Sequence, residues 1–145
     1  MKVKVDFVGG RQLDAALSQF TPTKRRSIGR KALDEAGEIM AKSMRSKAPV
    51  DEGGLRESID VSGVLAPSVK KTHRKVAEQE RYVGPDARPA AVQQEFGNEN
   101  HPPQPFARPA FDETKDDVLK RIGDELWVGI EKGAKAAARK AARAK

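Results

Sequence analysis

The chain has 145 residues, with 28 Lys+Arg against 21 Asp+Glu, two His and no Cys, the usual size of one domain. Without cysteine there is no disulfide, thiolate nucleophile or cysteine-ligated metal, and His73 and His101 do not sit at a helical pair spacing, so catalytic, metal and cofactor sites are not expected. Leu, Ile, Val and Phe number 29, a lean core that added burial against copies of the chain or a partner would stabilise, and no apolar run approaches the length of a membrane span.

The first element is a strand over residues 3–8, whose alternation lacks the longer apolar stretch of a signal peptide, so the chain reads as cytosolic and soluble. Gly9-Gly10 breaks it, and Leu13, Leu17 and Phe20 share one face of a short helix. Thr21-Pro22 then reads as an N-cap followed by proline at the first helical position. The helix it opens carries Ile28, Ala32, Leu33, Ala36, Ile39, Met40 and Met44 as one stripe, and Pro49 ends it. Pro49, Asp51, Gly53 and Gly54 form a turn leading into a strand from Ser58 to about Leu65. Lys70, Lys71 and Arg74 mark an exposed basic hairpin tip, from which residues 76–83 return antiparallel.

Residues 89–109 are rich in Pro, Gln and Asn yet contain Phe96 and Phe106, which predicts an ordered loop rather than a linker. Pro109 opens the last helix, with Asp112, Glu113, Asp116 and Asp117 in its early turns where the helix dipole favours acid. Val118, Ile122, Leu126 and Ile130 make its buried stripe. Residues 131–145 hold six cations and one anion, a basic Ala/Lys/Arg tail that leaves residues 1–130 at a net +2. The order predicts an α+β fold: one domain over 1–130, helices packed on a small antiparallel sheet, then the tail.

Enzyme templates fail. There is no Walker-type loop and no Gly-x-Ser-x-Gly elbow, and the acidic residues read as solvated helix faces rather than paired catalytic carboxylates. His73 and His101 read as loop residues. Trp127 reads either as a half-buried helix residue or as an anchor at a subunit contact.

Three segments carry more information together than apart. The first is Ala48-Pro49-Val50-Asp51-Glu52-Gly53-Gly54-Leu55-Arg56-Glu57-Ser58-Ile59, and the second is Val83-Gly84-Pro85. The third is Glu95-Phe96-Gly97, followed by Gln104-Pro105-Phe106-Ala107-Arg108-Pro109-Ala110. In this order and spacing, across residues 44–111, the chain resembles the lambdoid-phage gene-product-ten-like family of neck and tail-component proteins of long-tailed bacteriophages. It departs from that pattern at Glu52, where the family usually has Thr, and at residues 91–94, which lack the aromatics often found there.

The resemblance implies a structural virion protein: a homo-oligomeric ring at the head–tail junction, of six copies with twelve the alternative, enclosing the DNA channel. It implies contacts with head-completion or stopper proteins, with tail-terminator or tail-tube proteins, and with passing DNA irrespective of sequence, but none with a membrane. Assembly in the host cytoplasm would precede incorporation into the virion. A closed ring needs two different patches on each subunit. Candidates are Glu95, Phe96, Gly97, Phe106, Arg108 and Trp127: the phenylalanines packing the loop or a neighbour, and Glu95 with Arg108 or Arg56 forming charged contacts between subunits. The rival reading is nucleic-acid binding, with Lys70, Lys71, Arg74, Lys135, Arg139, Lys140 and Arg143 meeting phosphates or an acidic partner.

Overall fold

A computed structural model describes residues 9–50 and 54–144. The strand expected at residues 3–8, and Asp51 and Gly53 of the expected turn, lie outside the described residues. The elements run in the order α1 (Gly10–Ser18), α2 (Pro22–Lys47), α3 (Gly54–Ser58), β1 (Asp60–Ser62), α4 (Pro67–Lys70), β2 (Tyr82–Gly84), α5 (Pro89–Phe96) and α6 (Ala107–Arg143). This is an α+β arrangement, mostly helical, with one two-stranded antiparallel sheet.

Local chemistry sets the ends of α2. The Thr21 hydroxyl accepts the Lys24 amide at 3.3 Å, and Pro22 takes the first helical position, where its missing N–H leaves nothing unpaired. Pro49 clashes with a helical conformation at the residue before it, and Ala48 is extended at φ −64°, ψ 133°. The buried residues of α2 are mostly small: Ile28, Ala32, Ala36, Gly37, Ala41 and Met44, with Leu33, Ile39 and Met40 half-buried.

Small residues let neighbours come close on two sides. Towards the sheet, a Cβ placed on Gly37 would come 2.9 Å from Val61 Cγ1 and 3.3 Å from Val83 Cγ2. On the other side α6 lies antiparallel to α2. Near the end of α2, Ser43 and Lys47 both meet Glu113 of early α6, whereas Ile28 of early α2 would touch a Cβ on Gly129 at 2.6 Å. Of the stripe expected on α6 only Ile130 is fully buried, beside Ala110, Thr114, Gly123 and Gly133. A strict four-residue repeat drifts by about 40° per step around the helix, so no single such row can stay in contact along 37 residues.

Three expectations are corrected. A helical turn, α3, intervenes after Gly54, so the first strand begins at Asp60 rather than Ser58. The strands pair only through Asp60–Gly84, Val61–Val83 and Ser62–Tyr82; just beyond the last pair the Val64 amide donates to the Ser62 hydroxyl instead of a ladder, and further along the Val76 and Ala77 amides donate to the Glu80 carboxylate. The Pro-rich stretch is not all loop, since α5 starts with Pro89 at its first position and α6 starts at Ala107 rather than Pro109. Residues 131–143, the basic tail, continue α6 without a break.

The main core lies where α2 ends. Ala41, Met44, Ala48, Ile59, Ala91, Phe106 and Ala110 form it, with Met40, Leu55, Val61, Val83 and Ala107 packed around. Residues of all the segments singled out in the sequence thus meet in one apolar cluster.

Candidate functional site

Glu95 and Gly97 build a rigid corner between α5 and α6. Gly97 has φ +75°, and a Cβ there would lie 2.8 Å from Pro103 N and 2.9 Å from His101 O, so both the backbone angle and the space demand glycine. Its amide donates to Gln93 O at 2.7 Å and closes α5. The loop then folds back, with the Gln104 amide donating to Gln94 O at 2.7 Å and a bridge between Asn98 and His101.

Glu95 is only 6% exposed. Its carboxylate accepts the amides of Phe106, Ala107 and Arg108 at 2.8, 2.9 and 3.1 Å, and Arg108 Nε at 2.9 Å. It therefore caps the N-terminus of α6, which has no cap from its own residue Phe106. Burial pushes its carboxyl pKa up, but the amides of Ala107 and Phe106, the Arg108 guanidinium and the Arg108 amide together outweigh burial and hold it below the usual range.

Within one chain Glu95 and Arg108 pair with each other, so Glu95 needs no second subunit to satisfy its charge. Arg56 also faces inward, donating to Ala48 O at 3.2 Å, with its Nε buried and, among the described residues, without a partner. Phe106, 1% exposed, packs into the core of its own chain.

What the corner presents outward is apolar. Phe96 is 63% exposed and Val92, one turn earlier on α5, is 61% exposed. The Arg108 guanidinium lies over the Phe96 ring, 4.9 Å from its centroid, held there by Glu95 Oε1 and by the Glu95 carbonyl at 3.0 Å. Phe111, the next turn of α6 after Arg108, is also exposed, and an open depression of 530 Å³ runs over residues 96–103. Trp127 is half-exposed, further along α6.

The hairpin tip bearing Lys70, Lys71 and Arg74 is exposed, as expected. Its organiser, Glu80, was not singled out in the sequence. Besides the Val76 and Ala77 amides at 2.5 and 3.1 Å, Glu80 accepts the Tyr82 hydroxyl at 2.7 Å and meets His73 Nε2 at 2.9 Å. The His73 bond first, then the Val76 amide and Tyr82, lower its pKa to about 2. An acid two residues before Tyr82 in a basic stretch was the available signal.

Of the turn residues, Gly54 packs against Arg88, whose Nη1 a Cβ would meet at 2.8 Å, and Pro49 is half-buried beside the core residue Ala48. Lys135, Arg139, Lys140 and Arg143 are exposed on the last turns of α6. Among the described residues, no three His, Asp or Glu side chains gather as metal ligands would, and no helix is long and apolar enough to cross a membrane.

The geometry therefore offers an apolar, arginine-capped surface on a rigid corner. No curated protein and no solved structure matches the chain. One family does, over residues 11–97, from α1 to the Gly97 corner, and it includes the turn after α2, the Val-Gly-Pro strand end and Glu-Phe-Gly. The chain belongs to the family described as "Bacteriophage HK97-gp10, putative tail-component".

Proposed function

We propose that this phage tail-component protein forms a homo-oligomeric ring at the head–tail junction, around the channel through which DNA passes. Family membership makes it a virion-associated structural protein of a bacteriophage tail. The finer reading gives it a scaffolding role rather than a catalytic one, in six copies to match the tail, or twelve. Its neighbours in that reading are head-completion or stopper proteins on one side and tail-terminator or tail-tube proteins on the other.

The observation that carries this reading is the exposed Val92–Phe96 face with Arg108 over it. Its backbone is pinned by Glu95 and Gly97, so docking on it costs little further ordering entropy. Exposed aromatic and Arg side chains on such a frame are the composition of interface centres. A head-to-tail ring would seat this face on a different patch of the next subunit.

The test is negative-stain microscopy of lysates from a phage or induced prophage lacking the gene. Separate heads and tails, or tails of wrong length, are the expected result, and leaking heads would point to the stopper position. Normal infectious particles would overturn the assignment. Complementation with Phe96→Ser, a surface change, should fail although the purified variant stays folded.

A further inference from the structure

The basic segment at the end of the chain continues onto the body. Lys24 and Lys31 of α2 line one groove together with Lys132 of α6, with Ile28, Val128 and Gly129 between them. Ser27 adds a hydroxyl to the same groove. Glu125 is the carboxylate on its wall, and Arg121 holds it at 3.0 Å. The stem of Lys24 lies 3.4 Å from where a Cβ on Gly133 would be, so the groove runs up to the point where α6 leaves the body.

Beyond Gly133, the last buried residue of α6, the helix projects with every side chain exposed. Lys132, Lys135, Arg139 and Arg143 are spaced three and four residues apart, which places them on one face. They span about 16 Å of helix. Ala134, Ala137, Ala138 and Ala141 occupy the opposite side. Among the described residues none of Lys24, Lys31, Lys132, Lys135, Arg139 and Arg143 forms an ion pair.

We propose that these six side chains form one continuous strip that tracks the phosphates of double-stranded DNA without reading its sequence. None of the six side chains is aromatic, and the ring beside Lys24 at Gly133, that of Phe20, is half-buried against α6 rather than laid open for single-stranded bases to stack on. Between its cations on α6 stand only alanine, Gly133 and Lys140, with no Asn or Gln to address base edges. A protein interface has the opposite composition, rich in aromatics and depleted of Lys. Duplex DNA supplies regular, dense negative charge, and releasing its counterions drives binding to such a strip. The inference deepens the ring reading, which would bring DNA within reach of the strip, but the purified chain tests it without a ring.

The experiment is fluorescence anisotropy of a labelled mixed-sequence duplex titrated with the full chain at several salt concentrations. Each phosphate contact should contribute a slope of about −0.9 in log K against log salt. The double variant Lys24→Gln/Lys31→Gln should make the slope shallower by about 1.8, and Lys135→Gln/Arg139→Gln/Arg143→Gln by about 2.7. Two unrelated duplex sequences should bind alike. All six positions are on the surface or project from it, so unchanged far-UV circular dichroism checks the fold.

An unaltered slope in the Lys24/Lys31 variant would overturn the composite strip. So would loss of self-association in the α6 variant with DNA binding intact, which would place the arm on the acidic Asp112, Asp116 and Asp117 of a second copy. Separate heads and tails in the deletion lysate, with no DNA binding by the purified chain, would leave the ring standing and sink only the strip.

Discussion

Replacing Glu95 by Gln changes one atom and removes the charge that starts α6. The carboxylate accepts three backbone amides and Arg108 Nε. A Gln keeps one acceptor oxygen but turns an NH2 group towards donors. Hydrogen bonds to a charged group contribute about 1.5–3 kcal/mol against about 1 for a neutral pair, and a charge at a helix N-terminus adds up to about 2 when partly buried. The Arg108 side chain is itself 59% exposed, so water can replace that partner and its share is discounted. The expected cost of Glu95→Gln at neutral pH is about 2–3 kcal/mol, and of Glu95→Ala, which also leaves the amides without an acceptor, about 3–4.

Urea denaturation at constant m would read this as a shift in midpoint, and a thermal scan as a fall of about 5–10 °C. The pH dependence has a definite sign. Because the folded pKa of Glu95 is lowered, its stabilisation is complete above the unfolded value near about 4.3 and is lost as pH falls through the folded value. Wild type and Glu95→Gln should therefore converge in acid. A difference below about 0.5 kcal/mol at neutral pH, or one that ignores pH, would refute the capping role.

Phe106→Ala should cost about 3–5 kcal/mol in chemical denaturation, since the ring is buried in the main core; it is consequently unsuited to testing assembly, unlike Phe96→Ser. Gly97→Ala forces a Cβ onto the backbone of Pro103 and His101 at positive φ and should lose about 2–3 kcal/mol, read by the same denaturation curves. Protonating Glu80, whose pKa is about 2 in the fold, should loosen the hairpin tip as pH falls below the ordinary carboxylate range, with amide exchange at Val76 and Ala77 speeding up first. Glu80→Gln should show that faster exchange already at neutral pH.

Some of the molecule follows from neighbours along the chain. The Thr21-Pro22 start of α2, its stop before Pro49, the α1 face with Leu13 buried, and the existence of a long last helix all rest on rules reaching four residues or fewer. The order of the signature segments identified the family. In the fold those segments converge on Ala48, Ile59, Val83, Ala91 and Phe106, a packing centre, so the signature marks the core more than any reactive site.

The remainder depended on residues far apart in sequence. The Pro89–Phe96 stretch read as loop because proline and glutamine dominate its surroundings, yet Pro89 suits a first helical position and Ala91 finds the core. The long strands expected from alternation shrank to three residues each: the Ser62 hydroxyl took the Val64 amide at the end of one, and Glu80 took the Val76 and Ala77 amides ahead of the other. Glu95 looked like a surface charge until α6 brought its N-terminus to it, across more than ten residues. Lys24 and Lys31 joined Lys132 only because α2 and α6 run antiparallel. Periodicity, caps and prolines act through the backbone nearby and can be read from the sequence; burial of a charge, or the meeting of two charged faces, depends on which distant surface arrives, and only the tertiary structure decides that.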